Sequence, residues 1–221
     1  MKQYVKGKPD PEGLKCFVMA NPSGIPLDFC MYEGNGKEIQ SEKVPPPEKL
    51  DVGGKVVVKL TDTSTEKSSI YVDRCFTSVP FLDKLLRDRN ITATGTIMLS
   101  RIARSIRFEE DATMKKTRGS HDQVVRNDGN LAIIKWFDNR AIYLASTEAG
   151  VEPIEKCTRW SKKEKKYITV PRPCVVKAYN NNMGGVDLLD RMVGKYGMRA
   201  WTHKRTNRVI DHFIDFAVAA A

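Results

Sequence analysis

The chain has 221 residues, 41% apolar and 29% charged. No run approaches the ~18–20 consecutive apolar residues of a membrane span, and Met1 is not followed by the apolar core of a signal peptide, so secreted, collagenous and membrane classes are disfavoured. The formal charge of +10 is lopsided: residues 1–100 carry 14 basic and 13 acidic side chains, residues 101–221 carry 23 and 14. That excess fits a polyanionic partner, nucleic acid first and a membrane surface second, and equally a solvated basic face with no partner.

Leu14 to Ala20 and Pro26 to Tyr32 are short apolar runs separated by Asn21-Pro-Ser-Gly24, which predicts a hairpin. Gly34-Asn-Gly36 signals a tight turn and Pro45-Pro46-Pro47 a stiff linker. Val52 to Leu60 mixes glycine with valine and is read as helix. Ser69 to Asp73 suits a buried strand, and Val79, Leu82, Leu85 and Leu86 recur at helical spacing. Ile91 to Met98 alternates like a strand. Residues 101–118 crowd Arg101, Arg104, Arg107, Lys115, Lys116 and Arg118 into one segment, followed by two strands at Leu131–Asp138 and Ala141–Ser146. A charge run, Lys162, Lys163, Glu164, Lys165 and Lys166, precedes Pro171-Arg-Pro173. The end reads as two helices, Cys174 to Tyr196 and Thr206 to Ala219, the first weakened at Gly184-Gly185. The pattern is α/β: residues 1–99 form the first part of the core, 100–172 a basic insertion with a hairpin, and 173–221 helices completing the core.

Three acids stand where a fold can use them. Asp73 closes an apolar strand, and strand ends in α/β sheets are where ligands bind. Asp187 and Asp190 share a face of the expected helix, turned from the stripe of Val186, Leu189 and Val193, and Gly184-Gly185 permits close approach of another backbone. Such carboxylates can hold Mg²⁺, which takes one or two of them plus water and phosphate oxygens. For each Asp taken alone, a helix cap or a solvated side chain is the commoner explanation, and no spacing links Asp73 to Asp187. His121, His203 and His212 lack paired ligand spacing and read as structural or surface. The five cysteines form no CxxC, which excludes a zinc ribbon and fits free thiols in a reducing compartment. No GxGxxG or Walker A is present, so a nucleotide cofactor is disfavoured. Trp136 reads as core. Trp160, beside Arg159, reads as exposed and able to stack on bases.

Two longer motifs carry a resemblance. Tyr71-Val-Asp73-Arg-Cys-Phe76-Thr77-Ser78-Val-Pro80 resembles the strand-end segment of piggyBac-type transposases. Tyr179-Asn-Asn-Asn-Met-Gly184-Gly185-Val-Asp187-Leu-Leu-Asp190-Arg-Met192 resembles that family's Gly-Gly-Val-Asp-x-x-Asp helix, and Lys2-Gln-Tyr4 with Lys8-Pro9 and Gly13-Leu-Lys15 resembles the entry to its second core strand. The resemblance implies an RNase H-like (retroviral-integrase-like) core interrupted by a basic insertion. It implies Mg²⁺ as cofactor and DNA, at transposon ends, as partner. It implies Asp73 and Asp187 as catalytic acids, with Asp190 as an additional metal ligand. Arg101, Arg104, Arg107, Lys115, Lys116, Arg118, Lys162, Lys163, Lys165 and Lys166 would track the DNA backbone. The nucleus is the implied compartment, and a homodimer is left open. The family's first catalytic Asp precedes the Lys-Gln-Tyr segment, so the expected core is incomplete at its N-terminus, a fragment inactive alone and able to nick and transfer DNA strands only in a longer form. The alternative is a domesticated, non-enzymatic DNA- or chromatin-binding protein.

Overall fold

The computed structural model describes residues 3–4, 12–32, 34, 50–198 and 204–220. Its elements in chain order are β1 Gln3–Tyr4, β2 Glu12–Gly13, β3 Cys16–Ala20, β4 Pro26–Met31, α1 Val52–Leu60, β5 Ser69–Val72, α2 Val79–Arg89, β6 Thr92–Thr96, α3 Asp111–Met114, β7 His121–Val125, β8 Ala132–Phe137, β9 Ala141–Ser146, β10 Glu155–Ser161, β11 Lys166–Arg172, α4 Cys174–Asn182, α5 Gly185–Tyr196 and α6 Arg205–Ala220. The expected turn at Gly34-Asn-Gly36 and the Pro45-Pro46-Pro47 linker lie outside the described residues, Gly34 excepted. The chain divides into two compact units, Met1–Glu38 with Asn182–Ala221, and Ile39–Asn181.

The first unit contains the expected hairpin. β3 and β4 pair antiparallel, with an irregularity between Met19 and Ala20, and Asn21 closes the turn by accepting the Ile25 amide on its side chain at 2.9 Å. The expected helix over Cys174 to Tyr196 is two helices instead, α4 and α5, interrupted at Met183-Gly184. Glycine tolerates that break and also the packing that follows it. A Cβ on Gly185 would lie 2.1 Å from the Asn21 carbonyl oxygen, and one on Gly24 would lie 3.1 Å from the Leu188 side chain. α5 therefore starts hard against the end of the hairpin. α6 packs beside α5, with Met198 donating its amide to Asp215 Oδ1 at 2.8 Å.

In the second unit, five strands in the order β5-β6-β9-β8-β7 form one mixed sheet. β5 runs parallel to β6 and the remaining pairs are antiparallel. The hairpin expected over 131–146 forms, and β9 pairs with β6, so it extends the sheet that β5 begins. Strand alternation sorts side chains to two cores. Ile70, Val72, Ala93, Ile133 and Ala145 face a cluster with Phe81, Leu82 and Leu85 of α2 and Val57 and Val58 of α1. Ala132, Ile134, Trp136 and Leu144 face a second cluster with Val170 of β11 and Val175 and Val176 of α4. With both faces covered, every residue of β8 is buried, Lys135 included, which pairs with Asp111 at 2.6 Å. Trp136 lies in the core and donates its indole N–H to the Pro171 carbonyl at 3.1 Å. The five cysteines are free thiols. Among the described residues no helix is long and apolar enough to cross a membrane.

Candidate functional site

Asp73 follows β5 immediately and opens the turn to α2. Its carboxylate is exposed and accepts the Arg74 amide at 2.7 Å. The backbone beneath it is held from several directions. The Asp73 carbonyl accepts the Phe76 amide at 2.9 Å and the Thr77 hydroxyl at 3.1 Å, and Thr77 is wholly buried. Behind the turn stand two glycines. A Cβ on Gly95 of β6 would lie 2.2 Å from Thr77 Oγ1, and one on Gly53 of α1 would lie 2.7 Å from the Cys75 carbonyl oxygen. Arg101 completes the brace. One guanidinium nitrogen donates to the carbonyls of Thr77 (2.8 Å) and Cys75 (3.3 Å), and the other pairs with Asp51 at 2.6 Å. Asp51 is also the N-cap of α1, accepting the Gly54 amide at 2.9 Å. The sequence suggested phosphate binding for Arg101. In the structure its guanidinium engages these partners.

The sheet face that ends at Asp73 is polar. Ser69 and Thr92 hydroxyls meet at 3.0 Å, and the buried Thr94 and Ser146 hydroxyls at 2.7 Å. Glu148 accepts from Ser69 at 2.9 Å and from Tyr71 at 3.0 Å. Burial, then the Glu148 charge, pushes the Tyr71 phenol up to about 12. Tyr179 of α4 reaches the same face, its hydroxyl 3.5 Å from that of Thr96. Burial raises its pKa, and the Asp73 charge adds to the effect. The signal for Asp51, Gly95, Arg101 and Glu148 was not visible in sequence, because their partners lie far along the chain.

Asp187 and Asp190 lie one turn apart on α5, both exposed, with Asp187 in the first turn. Among the described residues neither has an ion-pair partner. Of the candidate DNA-binding residues, Arg104, Arg107, Lys115, Lys116, Lys162, Lys163, Lys165 and Lys166 are exposed. Lys166 pairs with Glu164 at 2.9 Å. Arg118 instead binds Asp138 (2.5 Å) and the Trp160 carbonyl (3.0 Å). The run from Lys162 to Lys165 is the turn of the β10–β11 hairpin.

Exposed carboxylates with no cationic partner suit a hard divalent cation, which two of them can hold while water and phosphate oxygens fill the remaining positions. Among the described residues no three His, Cys, Asp or Glu side chains gather into a metal site.

A family model described as "Transposase IS4" matches residues 1–221. The chain belongs to this transposase family. The transposase domain is 33% identical over 199 residues to the human PiggyBac transposable element-derived protein 3, an overlap covering 88% of the domain and 32% of that protein. It is 29% identical over 221 residues to the human PiggyBac transposable element-derived protein 2, covering 98% of the domain and 36% of that protein. It thus spans about a third of the length of these relatives. A solved structure, the cryo-EM structure of a piggyBac transposase synaptic complex with hairpin DNA, matches 99% of the domain and 42% of that chain, with a TM-score of 0.70 and 22% identity. The piggyBac-type resemblance read from Asp73-Arg-Cys-Phe76 and Gly185-Val-Asp187 holds, and the mixed α/β fold is that of the RNase H-like core it implied.

Proposed function

We propose that this transposase domain supplies catalytic acids for nicking and transferring DNA strands in a longer form of the protein. The reading gives Asp73 and Asp187 the catalytic roles, with Asp190 as a further metal ligand. The observation that carries it is the Asp73 turn: an exposed carboxylate on a backbone immobilised by Thr77, Gly95 and Arg101. Catalysis gains from such preorganisation because the acid need not be ordered as the reaction begins. When bound, Mg²⁺ supplies charge that stabilises attacking and leaving oxygens in phosphoryl transfer. The residues of the chain do the rest. Asp73 holds one carboxylate oxygen on the Arg74 amide, which orients the carboxylate. Asp187 and Asp190 present two more carboxylates on one helix face. Exposed Arg104, Arg107, Lys115 and Lys116 hold phosphates of the DNA backbone and fix its register. The compartment is the nucleus, and a fluorescent fusion excluded from it would contradict that part.

The test is Mg²⁺-dependent nicking of terminal-repeat DNA by a form extended upstream of Met1. Asp73→Asn and Asp187→Asn should each lose at least about a hundredfold in rate. Nicking that survives Asp73→Asn undiminished would refute the assignment. A non-enzymatic DNA-binding protein is the second reading, favoured by the exposed basic residues Arg104, Arg107, Lys115 and Lys116. It predicts duplex binding with steep salt dependence and no nicking in the same assay.

A further inference from the structure

The β10–β11 hairpin has an outward face that the fold does not use. Along β10, Lys156, Thr158 and Trp160 point out, while Cys157 and Ile168 pack on the core beneath. Along β11, Tyr167, Thr169 and Pro171 are the residues paired opposite them. Trp160 and Tyr167 face each other directly in register, edge to face, with ring centroids 5.1 Å apart. Trp160 is 48% exposed and Tyr167 70%. A hairpin needs no exposed aromatic pair for stability when its other face is already buried in a core. No acid lies on this outward face, and residues 156–167 hold six basic side chains against one acid, Glu164. Lys162, Lys163 and Lys165 crowd the tip beside the rings, and the neighbouring strand end is tied down by Arg118, which binds the Trp160 carbonyl.

Exposed rings set among cations are the elements of a single-strand binding platform. Cations follow the phosphates, and the rings stack on bases, which only unpaired nucleotides can offer. We infer that the β10–β11 hairpin binds unpaired nucleotides, with Trp160 and Tyr167 stacking on bases and Lys162, Lys163 and Lys165 holding the adjoining phosphates. The inference rests on the proposed DNA-handling role and assigns it a surface and a nucleic-acid state. Duplex DNA, whose bases are already stacked, meets only the lysines here.

The two kinds of contact separate experimentally, because phosphate contacts set the salt slope and stacking does not. The measurement is fluorescence anisotropy of a roughly 20-nucleotide oligothymidine and of a duplex of equal length across a salt series, using the full chain. Trp160→Ala and Tyr167→Ala should each weaken single-strand binding about tenfold and duplex binding less than about twofold, at unchanged slope. Trp160→Phe, which keeps a stacking ring, should restore most of the loss and guards against a folding defect. Changing Lys162, Lys163 and Lys165 together to Ala should weaken both ligands and reduce the single-strand slope by about 0.7 for each phosphate no longer neutralised. Aromatic variants that bind oligothymidine as the parent does, or that lose equally on both ligands, would overturn the stacking inference while leaving DNA binding intact. A parent chain that binds neither ligand at any salt would overturn both.

Discussion

The turn that carries Asp73 and the helix start that carries Asp187 present the same functional group by different physics. At Asp73 the backbone is caught among a buried threonine, two close-approach glycines and an arginine, and the side chain alone is free to face solvent. At Asp187 the helix itself orders the side chain, and two close approaches, Gly185 against the Asn21 carbonyl and Leu188 against Gly24, seat the helix on its neighbouring hairpin. Asp73 is therefore fixed by contacts at its own turn, whereas Asp187 is fixed through the seating of its helix. Damage on either side should track how many buried or backbone atoms the change displaces.

The largest effect is expected at Gly95. Gly95→Val forces a branched side chain into Thr77 Oγ1 and the Val72 carbonyl, the latter 2.7 Å from even a first carbon. It should destabilise the five-stranded sheet by at least about 3 kcal/mol, read as a large loss of thermal midpoint or of soluble protein. Gly185→Ala should cost about 2 kcal/mol, because the obstructing atom is a backbone oxygen that cannot rotate aside. If Gly185→Ala is silent, the seat of α5 is looser than its geometry implies. Arg101→Ala should cost about 1 kcal/mol, allowing for its partial exposure, and Arg101→Lys should not restore it, since an ammonium cannot reproduce the fork to two carbonyls and Asp51. Protection of the Phe76 amide from hydrogen exchange should fall in parallel.

The smallest effect concerns the polar face leading to Asp73. The Tyr71 phenol is raised above its unfolded value, so the folded state favours the protonated form. The stability this contributes is complete below the unfolded pKa near 10 and is lost as pH rises towards the folded value of about 12. Ultraviolet titration should show phenols ionising late, Tyr71 and Tyr179 among them, and Tyr71→Phe should reduce that late phase. A Tyr71 that titrates normally would mean that Glu148 does not hold it.

Strong periodicity made much of the fold legible. The apolar run from Leu131 to Phe137, the alternation of Ile91 to Met98, the helical recurrence of Val79, Leu82 and Leu85, and the turn residues Asn21 to Gly24 each point to the element that forms. β7 and β10 escaped because polar residues stand on both phases, β10 reading Glu155, Cys157 and Arg159 inward and Lys156, Thr158 and Trp160 outward, and β11 escaped because its apolar phase holds only Ile168 and Val170. The lysine run is the turn between β10 and β11, which its composition concealed. At the site, Asp73 was legible because an acid ended an apolar strand, and the close approach allowed by Gly184-Gly185 is realised at Gly185. Arg101 was not legible as a brace. Its partners are carbonyls, which carry no sequence signature, and its neighbours Arg104 and Arg107 suggest a phosphate contact instead.

Fe²⁺ can stand in for Mg²⁺ and, with ascorbate and peroxide, cut the polypeptide beside the bound ion. If Asp73 and Asp187 hold one cation cluster, the chain should be cut next to both, Mg²⁺ should compete at both, and Asp73→Asn should abolish both cuts together. Cutting beside one acid that persists when the other is changed would contradict a shared site.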